Sequence, residues 1–293
     1  GDSCVGALCG NDKGSISDCT VSGSVTGTTD VGGLVGIQTG ERDAVYKNLT
    51  NQAHVSGKLR VGGIIGSIGR TAGEDEKEKT GDTLENCRNY GGITASEASG
   101  KYIGGITGYS DGGILKDCVS TPSVSVNYEE EKPADLFGDF VGGIVGYSKD
   151  SAISGCKTSN RDIHNKITDA YVVGKRFVGG IAGFTEDSIL DGSLQANQAN
   201  ILGESYVGGI VGANGILDAE TGTVSKDGKN EKTVENWTNE GIVVATAAFG
   251  GGIAGYNGGR ILGCTSSVNT LSQDGEELLA RTEKLGKNGD YIG

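Results

Sequence analysis

Apolar residues in this chain come in short clusters separated by polar turns, and the clearest cluster reads V-G-G-I-x-G. It starts at Val31 (VGGLVG), Val61 (VGGIIG), Ile103 (IGGITG), Val141 (VGGIVG), Val178 (VGGIAG) and Val207 (VGGIVG). Val5 (VGALCG) and Gly250 (GGGIAG) open degenerate copies, and Ile292-Gly293 reads as the start of a ninth. Successive copies lie between 26 residues (Val5 to Val31) and 43 residues (Val207 to Gly250) apart. A fixed anchor with a variable period predicts a constant coil carrying loops of variable length.

Other columns share this register. An aromatic residue precedes the later anchors at Tyr102, Phe140, Phe177, Tyr206, Phe249 and Tyr291. Another follows four of them, at Tyr109, Tyr147, Phe184 and Tyr256. Downstream lies an apolar-x-x-Cys segment: Ile16/Cys19, Leu84/Cys87, Leu115/Cys118, Ile153/Cys156 and Ile261/Cys264. Val234/Trp237 takes that place in the seventh copy, and Ser193 aligns with the cysteines in the sixth. A third segment carries Val or Ile, as in Val21 to Val25, Ile93, and Val124 with Val126. Each copy therefore predicts about three short strands, which is one solenoid coil. The expected fold is all-β: a right-handed parallel β-helix of about eight irregular coils, forming one domain over residues 1–293. At about 4.8 Å per coil the stack would be roughly 40 Å long.

The anchor poses a geometric problem. Val and Ile three apart cannot both face inward on a regular strand, whose side-chain period is two. Either the Gly-Gly pair makes a corner or bulge, or the strand is buried on both faces. The column after the Ile is mostly apolar (Val35, Ile65, Thr107, Val145, Ala182, Val211, Ala254), which leans toward a strand covered on both sides. The repeat positions expected to carry the architecture are Gly32, Gly33, Gly62, Gly63, Gly104, Gly105, Gly142, Gly143, Gly179, Gly180, Gly208 and Gly209, with Cys87, Cys118, Cys156 and Cys264.

Composition agrees with a thin, extended core. The chain has 54 Gly but 2 Pro, without a G-X-Y period, which excludes collagen. Aromatics are 5% and hydrophobics 35%, too few for a large round core but enough for one shared along a stack of repeats. The net charge of −13 repels phosphate backbones and anionic bilayers, so neither nucleic acid nor membrane insertion is expected. No apolar run approaches the ~18 residues that span a bilayer. The chain opens inside a repeat and shows no signal peptide, so it reads as a piece of a larger protein.

Polar inserts collect at two places. One set follows the anchor, at residues 69–83 and 218–233; the other follows the later strands, at 128–139 and 272–290, with a short helix expected from Asp274 to Leu285.

Catalytic chemistry finds little purchase. A zinc hydrolase needs paired imidazoles one helical turn apart, whereas His54 and His164 stand in unrelated contexts and read as surface residues. No C-x-x-C occurs, so the recurring cysteines read as a packed interior ladder. Cys4, Cys9 and Cys19 are close enough in sequence to include a disulfide, and the odd total of 7 leaves at least one thiol free. The glycine-rich anchor lacks the G-K-[ST] of a phosphate loop. Glu129, Glu130, Glu131 and Asp135 are the carboxylates that a sugar-cleaving reading would use. Calcium would fall on Asp227 or on Asp274, Glu276 and Glu277, which lack EF-hand spacing. No cofactor is expected. The aromatic columns fit either a packing ladder or a recognition surface for sugar or protein, and their tight registration favours packing.

The recurring G-G-[IL]-x-G with its downstream I-x-x-C segment resembles the GLUG repeat. The resemblance runs from Val5 to Gly293. It implies a β-helical repeat region of a secreted or wall-attached bacterial surface protein, adhesin-like, or the non-catalytic part of a zinc metallopeptidase that cleaves immunoglobulin A. It brings no catalytic residues. The expectation is therefore a monomeric, non-catalytic extracellular scaffold displaying loops to a host or bacterial surface protein or glycan. The alternatives are a polysaccharide-cleaving β-helix enzyme and a substrate-positioning region of a large secreted metallopeptidase.

Overall fold

A computed structural model describes residues 2–39, 43–69, 81–121, 123–124, 138–218, 220–225 and 233–267. The calls on Ile292-Gly293, the 274–285 helix, Glu129 to Asp135, Asp227 and the 274–277 acids lie outside these residues.

The described residues form a parallel β-solenoid of eight coils. Coil five shows the unit: strands Asp139–Gly142, Val145–Lys149, Ala152–Ser154, Lys157–Thr158 and Tyr171–Val173. Five strand segments replace the three expected. The anchor divides into two strands, and the later segment divides again at a corner. Strands of two residues are too short to show an alternating pattern, which is why the sequence concealed them.

The coils stack in register. Val31, Val61, Ile103, Val141, Val178 and Val207 lie directly over one another. So do Leu84, Leu115, Ile153, Leu190, Val234 and Ile261 in the third strand column. The second, third and fourth columns each form an eight-stranded sheet. The first and fifth share a 13-stranded sheet, because Asn200–Gly208 and Val243–Gly251 run through both. A coil this small cannot bury its own apolar face, so stability comes from its neighbours above and below.

One apolar cluster fills the lumen, including Val31, Leu34, Ile64, Leu84, Ile93 and Val141. Val31, Leu34 and Val35 are all fully buried because the chain bends at Gly33-Leu34 between Thr29–Gly32 and Val35–Gln38. The Gly-Gly pair is thus a corner, and the anchor is not one strand covered on both faces.

Cys87, Cys118 and Cys156 stack in the lumen without solvent contact. Cys264 is half-buried at the same column. All seven cysteines are free thiols, including Cys4, Cys9 and Cys19. Ser193 departs from the expected alignment. It is exposed, has a positive φ and donates its backbone N–H to Asp191 Oδ1 at 2.9 Å instead of facing the lumen. Gly192 is the buried residue there, and Trp237 of the next coil packs against it.

The hydrogen bond to Cys118 and burial push the Cys87 thiol far above its usual range; burial and the contact with Cys156 do the same to Cys118. An unfolded thiol ionises near about 8.5. Above that pH the unfolded chain sheds protons that the folded chain retains, so stability holds below it and falls as pH rises. We expect the unfolding free energy from urea titrations to drop between pH 8 and 10, by up to about 1.4 kcal/mol per pH unit for each of Cys87 and Cys118. A thiol reagent at pH 8 should modify Cys4, Cys9, Cys19 and Cys264 in the native chain. Cys87, Cys118 and Cys156 should react only after denaturation. Fast native labelling of Cys118 would contradict the ladder.

A second lumen ladder is polar. Asn51, Asn89, Asn197 and Asn239 are fully buried. Asn51 Oδ1 accepts from Ala53 N at 3.0 Å, and its Nδ2 donates to Ala53 O at 3.0 Å and Asn89 Oδ1 at 2.8 Å. Asn197 closes the same turn on Ala199 and donates to Asn239 Oδ1 at 2.7 Å. Ser120 and Thr158 fill the intervening rungs, accepting from Asn89 and donating to Asn197 respectively. Every amide so placed satisfies a corner that would otherwise hold unpaired backbone groups.

Candidate functional site

The anchor corner is where the sequence is most constrained, so its surroundings are the candidate site. The second glycine of each pair faces the polar ladder. An added Cβ on Gly33 would lie 2.6 Å from Asn51 Oδ1, and on Gly63 2.6 Å from Asn89 Cγ. Gly105 faces Ser120, Gly143 faces Thr158, Gly180 faces Asn197 and Gly209 faces Asn239. The first glycine (Gly32, Gly62, Gly104, Gly142, Gly179, Gly208) faces backbone of the next coil's second strand, with Gly32 2.7 Å from Gly66 N by the same measure. The final glycine returns the contact: a Cβ on Gly66 would sit 2.5 Å from Val31 N. Two sheets meet here backbone to backbone, which only hydrogen side chains permit.

The residue before each anchor is left-handed. Asp30, Arg60, Tyr102, Phe140, Phe177, Tyr206 and Phe249 have φ between 52° and 60°. Such a conformation costs a non-glycine residue roughly 1–2 kcal/mol, so neighbours must over-determine it. They do so by stacking. Ring centroids lie 5.0 Å apart for Tyr102 and Phe140, 4.8 Å for Phe140 and Phe177, 4.7 Å for Phe177 and Tyr206, and 4.8 Å for Tyr206 and Phe249. The column after the anchor runs beside it: Tyr109 and Tyr147 stack at 5.5 Å, Tyr147 and Phe184 at 5.3 Å. The two columns meet edge to face within three successive coils: Tyr102 and Tyr109 at 5.7 Å, Phe140 and Tyr147 at 5.6 Å, and Phe177 and Phe184 at 5.4 Å.

These rings form an apolar cluster separate from the lumen. Phe177 and Phe184 are buried, Tyr102, Tyr109, Tyr206 and Tyr256 are half-buried, and Phe249 is 55% exposed. The expectation of packing therefore holds at the centre. Ring faces are largely spent on neighbouring rings, so the stack offers mainly edges to solvent.

Polar groups border the ladder. Below Tyr102 the column continues as Arg60 over Asp30, where Arg60 Nη2 donates to Asp30 Oδ2 at 2.8 Å and Ser67 Oγ to Asp30 Oδ1 at 2.6 Å. The bond to Asp30 raises the Arg60 pKa. Tyr147 OH donates to Glu186 Oε2 at 2.5 Å, and Lys149 Nζ pairs with Glu186 Oε1 at 3.0 Å. Burial and then that hydrogen bond push the Tyr147 phenol well above its usual range. Each of these charged groups is committed to a partner.

The other predicted residues do not converge here. His54 is exposed on strand His54–Gly57, beside Thr94 Oγ1 at 3.1 Å, and His164 sits in the exposed turn held by Asp162. Among the described residues no cluster of His, Cys, Asp or Glu could hold a metal ion. Sequence reasoning missed the left-handed column and the asparagine ladder. The latter had a signal, N-x-[GA], at Asn51, Asn89, Asn197 and Asn239.

It also missed a cover. Ile216–Leu217 and Val224–Ser225 form an antiparallel hairpin, the exception among otherwise parallel strand pairs in the described residues. Leu217 and Val224 pack against the aromatic cluster. Arg176 lies over the Phe177 ring at 5.0 Å and donates from Nη2 to Gly222 O at 3.0 Å.

Comparison with known families matches residues 1–26 to the GLUG motif. That stretch is the first coil, from Ser3–Val5 through Ser24–Thr26. The structure repeats the same unit in register to Thr265–Ser266, which supports a GLUG-repeat protein. No curated protein matches the chain significantly. No solved structure does either.

Proposed function

We propose that this repeat solenoid is a non-catalytic extracellular scaffold of the adhesin type, presenting its inserts to a protein or glycan on a host or bacterial surface. The observation that carries the reading is the division of labour between ladder and insert. Within the coils, Asn51, Ser110, Tyr147 and Asn197 spend their side chains on bonds to the neighbouring coil, and Thr158 does the same. The inserts leave from corners that the register fixes: residues 69–83 and 218–233 between the second and third strand columns, and 128–139 ahead of Asp139–Gly142. A rigid body with adjustable loops suits recognition, and function on such a fold lives in what is grafted onto it.

The chain should bind whole bacterial or host cells, or members of a glycan array, without turnover. Replacing residues 70–80, 125–137 and 226–232 by short Gly-Ser turns should remove at least tenfold of that binding and leave thermal unfolding within a few degrees. Binding unchanged by the replacements would move recognition to the coils. Release of reducing sugar from polysaccharide would favour the enzyme reading instead.

A further inference from the structure

The fifth coil departs from its neighbours at the corner after its fourth strand. Asn51, Asn89, Asn197 and Asn239 each clamp that corner with an amide, and the next strand starts a few residues on. Thr158 stands in their column, but its hydroxyl is committed to coil six, donating to Asn197 Oδ1 and accepting from Gln198 N. With Thr158 so placed, residues 159–170 leave as an insert before Tyr171–Val173.

The insert is a closed turn. Arg161 and Ile167 form an antiparallel bridge. Asp162 N donates to Lys166 O at 2.9 Å, Asn165 N to Asp162 O at 2.9 Å and Thr168 N to Asn160 O at 2.7 Å. Asp162 Oδ1 accepts from His164 N at 2.9 Å and Lys166 N at 2.8 Å, and Arg161 Nη1 donates to Asn165 O at 3.1 Å. Coil four braces the base, where Thr121 Oγ1 donates to Arg161 O at 2.6 Å. A turn ordered in the free chain loses little further freedom on binding.

Its display reverses the character of the chain. Ile163 is 45% exposed and Ile167 64%. The other exposed side chains of residues 161–167 are Arg161, His164, Asn165 and Lys166, none of them acidic, on a chain of net charge −13. Aliphatic side chains gain from leaving water for an apolar pocket, and cations beside them are matched by carboxylates at its rim. We propose, on the scaffold reading above, that residues 161–167 are a preformed recognition turn for a partner protein. The partner surface it fits has an apolar depression for Ile163 and Ile167, rimmed by Asp or Glu for Arg161 and Lys166. An anionic bilayer would meet the repulsion of the whole acidic chain, and a polyanionic glycan would engage the cations but leave both isoleucines in water.

A phage-displayed random peptide library panned on the full chain, after depletion on Ile163→Ser with Ile167→Ser, tests this. It should return peptides that combine apolar residues with Asp or Glu. Such a peptide, once synthesised, should bind wild type about tenfold or more tighter than the double-serine chain. Lys166→Glu should weaken it more than Lys166→Gln does, by a margin that shrinks as salt rises. Asp162→Ala loses the clamp and should weaken binding about threefold although it removes a negative charge, whereas Asp162→Asn keeps an acceptor oxygen and should not. Thermal unfolding should be unchanged in all of these, since the turn lies outside the coil. The chain with residues 70–80, 125–137 and 226–232 replaced keeps this turn and should keep the peptide, so failure of cell or glycan binding and failure of the turn are read separately. A library that returns no peptide dependent on Ile163 and Ile167 would overturn the proposal. So would turn-dependent binding to phosphatidylserine vesicles or heparin in place of peptides.

Discussion

Gly143→Ala should destabilise the chain by about 3 kcal/mol or more, whereas Gly14→Ala should stay within about 0.5 kcal/mol of wild type. Both changes add one methyl group. At Gly143 it would fall inside the contact radii of Gly180 O and Thr158 Cγ2; at Gly14 its nearest neighbour is Asp12 Oδ1 at 4.0 Å. A carbonyl in a packed ladder cannot step aside without moving the coil that carries it. Thr158 also donates to Asn197, so the displacement reaches the polar ladder. Coil five lies mid-stack, and a faulted central coil uncouples the halves on either side. The urea midpoint should fall, and the m-value with it, as two-state behaviour breaks down. Equal midpoints for the two alanine variants would remove the steric explanation of the anchor glycines.

The second large effect is expected at Trp237. Replacing it by Cys restores the residue that most other coils carry in this column, yet the change should cost about 3 kcal/mol or more. The indole is fully buried and donates from Nε1 to Leu190 O at 3.2 Å. Its bulk occupies the space that Gly192 of coil six leaves empty, with a Gly192 Cβ position only 2.7 Å from the ring's Cδ2. The tryptophan thus compensates for the coil below it. Gly192→Ala should accordingly be less harmful in the Trp237→Cys background than alone, a coupling that a double-mutant cycle in urea will measure. Additive costs would mean that the two positions do not share one space.

These variants also mark what could be read from the chain. The register was legible because the anchor recurs at every coil and the Leu84 and Cys87 columns recur with it. Parallel stacking then follows, since like residues lie over like. The left-handed column was not legible. Tyr, Phe and Arg carry no preference for that backbone region; the stack of rings holds the aromatics there, and the pair with Asp30 holds Arg60. The asparagine ladder was obscured by Ser120 and Thr158, which interrupt the motif while continuing the hydrogen bonds. The hairpin was hidden for a different reason. Residues 216–225 (ILDAETGTVS) have the composition of a polar loop, and only Leu217 and Val224 announce the apolar face that packs against the aromatic cluster. Repetition reports what all coils share; compensation between unlike coils must be seen in space.

The in-register ladder has a mechanical corollary. Its backbone hydrogen bonds run along the solenoid axis, one coil bonded to the next. A pull along that axis loads successive coils in series, so the stack would peel from an end one coil at a time instead of rupturing at once. Coils of unequal length would then pay out unequal lengths of chain, short where Val5 leads to Val31 and long where Val207 leads to Gly250. A tether built this way yields in graded steps under shear, and the inserts that vary the period also set how far each step extends.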